Sequence, residues 1–145
     1  MIEPSENFGR IVLSEFHRSR IKNKVLDCPF REIAGFIVGS VEKDRVLAER
    51  VIFGESSGWG MRHFKLDGNF YGKVSASIRS DQILCLFHTH PGGKLYPTLW
   101  DIGGMMVTEI PWIILRLRDD KIRFRAYIYE KGVIRKIGVQ VSARK

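Results

Sequence analysis

The stretch QILCLFHTHPGGKLYPTLWD, Gln82 to Asp101, joins an apolar strand pattern to a glycine-containing turn and the start of a helix pattern. Its first nine residues alternate with the period of a β-strand, so successive side chains point to opposite faces of a sheet. His88 and His90 lie two residues apart and therefore project from the same face. Cys85 falls on the opposite face and is predicted to be a small buried residue. The stretch predicts a buried strand that presents two imidazoles at its end.

Two histidines on one strand face are a natural pair of ligands for zinc, which binds imidazole nitrogen at about 2.0–2.1 Å. A carboxylate from another element would complete the three protein ligands of a catalytic zinc and leave the fourth position to water. Asp101 is the nearest candidate in the sequence, because the turn at Pro91-Gly92-Gly93 directs the chain back towards the histidines. The sequence therefore predicts one Zn²⁺ per chain, held by His88, His90 and Asp101.

The residues around Asp101 also fit a helix capping box. Thr98 and Asp101 follow the pattern S/T-x-x-D/E, in which hydroxyl and carboxylate satisfy backbone N–H groups and need no metal. Gly103 and Gly104 come next, and each costs a helix about 1 kcal/mol relative to alanine. Such a cost is easiest to understand where the backbone must approach something closely. Capping and ligation by Asp101 both stay open here, as does a plain pair of histidines at a strand end.

The remaining sequence alternates helix and strand patterns. Ser14 is a candidate N-cap for a helix to about Leu26, which Cys28-Pro29 ends because the residue before proline avoids the helical region. His17 falls on the apolar stripe of that helix and is expected to be half-buried there rather than a ligand. Further patterns predict strands over 10–13, EIAGFIVGS, RVLAERVIFG, WIILRLR, KIRFRAYIY and 133–141, and helices over 71–79 and from 98 to before Pro111.

Length and composition are those of one globular domain. The chain has 145 residues, of which 44% are hydrophobic and 28% charged, and neither repeats nor linkers divide it. Its apolar runs are shorter than the about 18–20 residues of a membrane span, and the start MIEPSENFGR lacks the apolar core of a signal peptide. We therefore expect a single domain over residues 1–145, a cytoplasmic location and no membrane partner. The two cysteines do not form a disulfide framework in that setting.

The net charge of +8 is compatible with an acidic partner and equally with simple solubility. A two-residue turn at Asp119-Asp120 would place Arg116 opposite Arg123 on the neighbouring strand. Like charges that face each other across two strands repel, which indicates a surface for an anionic partner. The chain shows no helix-turn-helix, zinc-finger or aromatic RNA-recognition pattern, so an acidic protein is favoured over nucleic acid. The predicted surface comprises Arg116, Arg118, Arg123 and Arg125.

The motif as a whole resembles the signature of the JAMM (MPN-plus) metalloprotease family, H-x-H-P-x6-[ST]-x-x-D with an upstream E-x-x-G. Glu32, at the start of EIAGFIVGS, matches the family's glutamate, and His88 and His90 match its paired ligands. Asp101 matches the third ligand. Thr98 stands where the family usually has serine, which keeps the hydroxyl but adds a β-methyl group that restricts χ1.

The resemblance implies a fold and an activity. The implied fold is a single-domain α/β architecture of three layers, α-β-α, with a curved mixed β-sheet, similar to MPN and cytidine-deaminase-like domains. The implied activity is zinc-dependent cleavage of an amide bond at the C-terminal tail of a ubiquitin-like or small sulfur-carrier protein. In that reaction Glu32 would be the general base, and Thr98 would help to hold the oxyanion. The loop from Gly54 to Gly60, with Trp59, is a candidate wall of the substrate groove.

Three other functions stay open from the sequence. A scaffold or docking protein of the same family would catalyse nothing and would have no reason to hold stoichiometric metal. A basic domain associated with nucleic acid is suggested by the charge alone. A hydrolase of other amides would use the same residues on a different acyl substrate. Neither the substrate nor the oligomeric state can be read from the sequence.

Overall fold

The computed structural model describes residues 9–28, 32–54, 68–90 and 93–143. Strands predominate in this part of the chain, and three short helices lie between them. No helix in these ranges combines the length and apolar character needed to cross a bilayer. In chain order the elements are β1 Arg10–Ser14, α1 Glu15–Asp27, β2 Ala34–Glu42, β3 Arg45–Phe53, α2 Gly68–Ser77, β4 Gln82–Thr89, α3 Leu99–Thr108, β5 Trp112–Arg118, β6 Lys121–Glu130 and β7 Val133–Ser142.

The seven strands form a closed barrel in the order β1-β3-β2-β4-β5-β6-β7. β1 closes the barrel, because it pairs in parallel with both β3 and β7. β4 and β5 are also parallel, and the remaining neighbours are antiparallel. The prediction of a three-layer α-β-α fold is therefore wrong. Closure depends on the pairing of the first and last strands, which come from opposite ends of the chain and which no local pattern reveals.

Apolar side chains pack on both faces of the barrel wall. One apolar cluster draws residues from all seven strands and so fills the barrel interior, where Ile21 and Val25 of α1 join it. Phe87 of β4 belongs to this inner cluster, whereas its neighbour Leu86 belongs to a second cluster on the outer face. Met105 of α3 joins that outer cluster. Successive residues of β4 thus face the barrel interior and the outer cluster in turn, as in any β-strand. The end of β4 therefore lies between the barrel interior and α3.

The first helix begins and ends as its sequence predicts. The Ser14 side chain accepts a hydrogen bond from the His17 backbone N–H at 3.1 Å, which is an N-cap. The Cys28 N–H donates to the Val25 carbonyl at 3.2 Å and ends the helix just before the proline. His17 is a buried helix residue, and its ring nitrogens contact the Ser14 hydroxyl and the Glu49 carbonyl. The prediction that His17 is structural rather than a metal ligand agrees with these contacts.

The β5–β6 hairpin has the predicted turn and register. Asp119 and Asp120 both have positive φ, 52° and 60°, as the two central residues of a type I′ turn require. Arg116 pairs with Arg123 in the observed register. Alternate residues of the same strands, such as Leu115, pack into the barrel interior. The predicted opposition of like charges across this hairpin is confirmed.

Gly104 sets how closely α3 approaches the sheet. A Cβ atom at this position would overlap the indole ring of Trp112, the first residue of β5. The Trp112 indole N–H donates to the Thr108 hydroxyl at 3.0 Å, and that hydroxyl donates to the Gly104 carbonyl at 2.9 Å. The close approach inferred from the sequence is therefore present at Gly104. It is absent at Gly103, where a Cβ atom would meet nothing within 4 Å.

The two glycines predict opposite effects of the same substitution. Gly103→Ala should raise the free energy of unfolding by about 1 kcal/mol, because alanine is the better helix former and the space is open. Gly104→Ala should lower it, because the new methyl group pushes α3 away from Trp112. Chemical denaturation of both variants measures the difference, and each serves as the control for the other. Equal shifts in the same direction would contradict this account of how α3 is seated.

Candidate metal centre

Three side chains converge where β4 ends beneath the first turn of α3. His88 is the second-last residue of β4, His90 follows the strand, and Asp101 is the third residue of α3. Their candidate ligand atoms all lie within 4.8 Å of one another, and the group could hold a metal ion. The crossover from β4 through α3 to the parallel strand β5 brings the helix N-terminus back over the strand end. The structure thus brings together the three residues that the sequence proposes as ligands.

The separations within this group suit a single ion. Asp101 Oδ1 lies 3.0 Å from His88 Nε2, and Asp101 Oδ2 lies 3.2 Å from His90 Nε2. Ligands of a tetrahedral ion with bonds of about 2.0–2.1 Å are about 3.3–3.4 Å apart, close to these values. The side chains of His88 and Asp101 are 2% and 6% exposed, and that of His90 is 11% exposed. The site is therefore screened from bulk water but open on the side of His90.

The hydrogen bond on the far side of His90 fixes which ring nitrogen is available. His90 Nδ1 lies 2.8 Å from the Lys94 carbonyl oxygen, which can only accept, so Nδ1 carries the proton. In a neutral ring Nε2 is then a bare lone pair, and it faces a carboxylate oxygen of Asp101. Two acceptors at this distance repel unless the ring gains a second proton or a cation lies between them. A histidine whose Nδ1–H is held by a carbonyl while Nε2 points inward has the arrangement usual for metal ligands.

The electrostatics of the group also favour a cation. Burial on its own would lower the pKa of His90, but hydrogen bonds to Asp101 and Lys94 and the nearby acids leave that pKa raised. Burial would likewise raise the pKa of Asp101, yet hydrogen bonds from His88 and His90 hold it well below the usual value. Asp101 is thus an ionised carboxylate in a buried position. Its charge must be balanced by an imidazolium or by a metal ion.

The capping box predicted as the alternative role of Asp101 is present as well. The Thr98 N–H donates to Asp101 Oδ2 at 2.7 Å, and the Asp101 N–H donates to the Thr98 hydroxyl oxygen at 3.3 Å. The two roles are compatible, because the same carboxylate reaches the histidines. Capping fixes the orientation of Asp101 towards His88 and His90. Thr98 is the N-cap of α3, and its part in oxyanion binding stays a prediction.

Glu32 lies beside this group. It lies two residues before the first residue of β2, Ala34, which pairs with His88, so the start of β2 meets the end of β4. The Glu32 side chain is buried, and among the described residues its Oε2 atom has no hydrogen-bond partner. Burial raises its pKa to about 7; the charge of His90 opposes this shift and that of Asp101 adds to it. The structure therefore places Glu32 with the three candidate ligands, as a carboxyl group that titrates near neutral pH.

Two aromatic residues that the sequence analysis did not single out support the site. Trp112 meets the His88 ring edge-on, with centroids 5.7 Å apart and an interplanar angle of 83°. The Tyr127 hydroxyl donates to the Leu95 carbonyl at 2.7 Å and anchors the segment between His90 and α3 on the sheet. Buried tryptophan and tyrosine usually find hydrogen-bond partners, so these residue types in the sequence indicate side chains that could hold neighbouring segments in place. Tyr127, however, finds its partner 32 residues away, and the His88 ring that Trp112 contacts lies on another strand.

Other residues considered in the sequence lie elsewhere. Cys85 points into the barrel interior, and burial raises its pKa to about 12, so it offers no thiolate to this site. Residues 55–67, which include Trp59 and His63, lie outside the described residues. The suggestion that the Gly54 to Gly60 loop walls a substrate groove therefore stays a prediction.

The helix that carries Asp101 also presents apolar side chains to solvent. Leu99 is 86% exposed, Trp100 72% and Val107 80%, all on α3. Large side chains exposed together on one short helix are typical of a surface that binds another macromolecule. This feature was missed in the sequence because the same residues fit an ordinary amphipathic helix.

Comparisons with known proteins establish the fold alone. No family model and no curated protein matches this chain. The solution structure of protein DSY2949 from Desulfitobacterium hafniense, a structural genomics target, is similar, with a TM-score of 0.74 over 92% of this chain and 94% of that one. The two sequences are 17% identical, so the likeness extends to the fold and not to activity. The family resemblance therefore depends on the motif residues themselves.

The capping box and the metal site can be separated by substitution. Asp101→Asn keeps oxygen for capping but removes the charge, so zinc affinity should fall by at least about tenfold. Thr98→Ala breaks the capping box and should cost about 1 kcal/mol of stability, while its zinc content stays at one per chain. Elemental analysis after dialysis against limiting zinc, with His88→Ala alongside, measures both effects. Unchanged zinc content in Asp101→Asn would reduce Asp101 to a helix cap.

Proposed function

We propose that this protein is a zinc-dependent peptidase or isopeptidase that cleaves an amide bond at the C-terminal tail of a ubiquitin-like or small sulfur-carrier protein. The observation that carries the proposal is the pairing of two features in one buried place. An ionised carboxylate faces the Nε2 atoms of two histidines, which calls for a cation, and beside them lies Glu32, whose buried Oε2 atom has no hydrogen-bond partner among the described residues. The motif that joins these residues resembles the JAMM signature, from which the substrate class is taken.

The ligand set favours zinc. Two imidazole nitrogens and one carboxylate leave a tetrahedral ion one position for water or substrate, which is the arrangement of catalytic zinc sites. Calcium and magnesium prefer oxygen ligands throughout, and a thiolate-binding metal would find no cysteine here. Zinc bound by His88, His90 and Asp101 would supply a Lewis acid for the carbonyl group and would lower the pKa of water towards neutral.

Glu32 is suited to move the proton of this reaction. A general base works best when its pKa lies near the working pH, and burial brings Glu32 into that range. Its carboxylate would accept a proton from the attacking water and then deliver it to the departing amine. A scaffold protein gains nothing from a buried carboxyl group without a partner, since such a group costs stability. The Oε2 atom, which has no partner in the described part of the chain, therefore supports an enzyme over a scaffold.

Thr98 would contribute through its hydroxyl proton. Its oxygen accepts the Asp101 N–H at the helix start, which leaves the O–H free to donate. A donor fixed in this position could stabilise the negative charge that develops on the substrate oxygen. The helix cap would thus orient a ligand and a donor together.

The exposed face of α3 supports a macromolecular substrate. Leu99 and Trp100 directly precede the ligand Asp101 and lie largely in solvent. An apolar surface next to the reacting groups is of little use with a small hydrophilic substrate, and it could bury area against a folded protein. This is why a protein tail is preferred to a small amide.

Glu32→Gln tests the proposal, because glutamine keeps the size and polarity of the side chain but cannot take the proton. Turnover should fall about 10²-fold or more, the usual scale of acid–base catalysis, while zinc content stays at one per chain. Thr98→Ala should lose less turnover than Glu32→Gln, and Thr98→Ser should be close to wild type. The assay incubates zinc-loaded protein with ubiquitin-like conjugates and identifies products by mass spectrometry. Full activity in Glu32→Gln would exclude this mechanism, and a zinc-loaded wild type that cleaves none of these conjugates would contradict the proposed activity.

A further inference from the structure

A row of basic side chains leads away from the metal centre on one face of the β5–β6 hairpin. We call it the basic ladder, and its members are Arg116, Arg118, Lys121, Arg123 and Arg125. Alternation along each strand and the observed register place all of them on the same face. In the parallel pairing of β4 with β5, His88 lies opposite Ile114, so the next same-face position of β5, Arg116, falls beside His90. The ladder therefore begins at the strand end that carries the candidate ligands.

The ladder is unpaired in the part of the chain that the structure describes. None of its members makes an ion pair there, and the turn residues Asp119 and Asp120 make none with it either. Arg116 Nε is buried without a hydrogen-bond partner, and its Nη1 donates only a long bond of 3.4 Å to the Gly93 carbonyl. Five arginines elsewhere do pair with acids: Arg10 with Asp44, Arg18 with Glu15, Arg45 with Glu42, Arg79 with Asp81 and Arg135 with Glu130.

This arrangement opposes folding unless an anion compensates for it. Directly opposed residues of two strands are about 4.5–5.5 Å apart at Cβ, and like charges at that distance repel. Arg116 faces Arg123, and Arg118 faces Lys121. A buried guanidinium nitrogen without an acceptor adds a further cost. Both costs disappear when carboxylates bind along the ladder, because arginine forms strong paired hydrogen bonds with them.

The chemistry of the face favours an acidic protein segment over nucleic acid. Single-stranded nucleic acid is usually held by aromatic rings on which the bases stack, interleaved with cations. The aromatic residues of β6 do not interleave with the ladder: Phe124 points the other way and packs against the barrel interior, and Tyr127, on the ladder face, is buried in the outer cluster. The ladder thus offers charge and hydrogen-bond donors without a stacking platform. Such a surface selects partners by charge and speeds their association.

We propose that the basic ladder is a substrate-selecting surface, which binds an acidic segment of the substrate protein and directs the adjoining tail into the metal centre. This inference rests on the proposed function for the identity of the substrate. The binding of an acidic segment, however, can be measured without catalysis. The ladder also starts beside His90, the more exposed of the two histidines, where a tail would enter.

The first experiment measures binding to metal-free protein of a fluorescent oligoglutamate peptide by anisotropy. Arg118→Glu/Arg123→Glu reverses two exposed members of the ladder, and each new glutamate faces a base across the hairpin, so folding should be unharmed. We expect affinity to fall about tenfold or more and its salt dependence to flatten. The control, Lys43→Glu/Arg50→Glu, has the same net charge but changes exposed bases of the β2–β3 hairpin, which pairs with neither β5 nor β6. It should bind the peptide within about twofold of wild type.

Two results would overturn the inference. Equal losses in both double variants would mean that net charge alone attracts the peptide. Tighter binding of a single-stranded oligonucleotide of matched charge, lost in the ladder variant, would identify the face as a nucleic-acid site. Thermal unfolding of each variant accompanies the measurement, and Arg118→Gln/Arg123→Gln, which only neutralises the charges, replaces the reversal if that variant does not fold.

A second measurement separates this inference from the proposed function. With zinc-loaded protein and a ubiquitin-like conjugate that it cleaves, the ladder variant should raise KM and leave kcat within about twofold of wild type. Glu32→Gln should do the reverse. A fall in kcat with unchanged KM in the ladder variant would contradict a role in substrate selection. If wild type cleaves no conjugate, the proposed function fails, while the peptide experiment still decides whether the ladder binds acidic segments.

Discussion

The carboxylate of Asp101 is the constraint on which the rest of the site depends. It is buried and ionised, it caps α3 through the Thr98 N–H, and it faces the Nε2 atoms of both histidines. The hydrogen bond from His90 Nδ1 to the Lys94 carbonyl leaves no proton on the facing nitrogen of a neutral ring. A buried carboxylate that faces a histidine lone pair is stable only when a cation balances its charge, so Asp101 links helix capping, the His90 tautomer and metal binding.

The barrel supplies the rigidity that this contact requires. β4 lies between β2 and β5 in the barrel wall, with one face in the interior cluster and the other under α2 and α3, so its end is fixed on both sides. Gly104 lets α3 lie directly on Trp112, which in turn meets the His88 ring. The start of β2 brings Glu32 to the same place. A site built on strand ends and a seated helix keeps its geometry better than one built on loops.

The features that sequence reasoning found are those set by residues near one another in the chain. The two-residue spacing of His88 and His90, the Ser14 cap and the Asp119-Asp120 turn all depend on local geometry. Closure of the barrel depends on β1 meeting β7, and the three-layer prediction failed because no local pattern encodes that pairing. Tyr127 was missed for the same reason, since its partner lies far away in the sequence. Asp101 was left between two roles because each is locally sufficient, and only the structure shows that the capping carboxylate also lies with the two histidines.

The most direct test of the central claim is the protonation of the His90 ring, read from long-range ¹H–¹⁵N spectra during a zinc titration at a pH above 7. The account predicts that Nδ1 keeps its proton throughout. Nε2 should become a metal-bound nitrogen, and the change should be complete at one equivalent of zinc. A ring that carries protons on both nitrogens before and after zinc is added would contradict the account. The contact with Asp101 would then be an imidazolium–carboxylate ion pair, and the site would have no need of a metal.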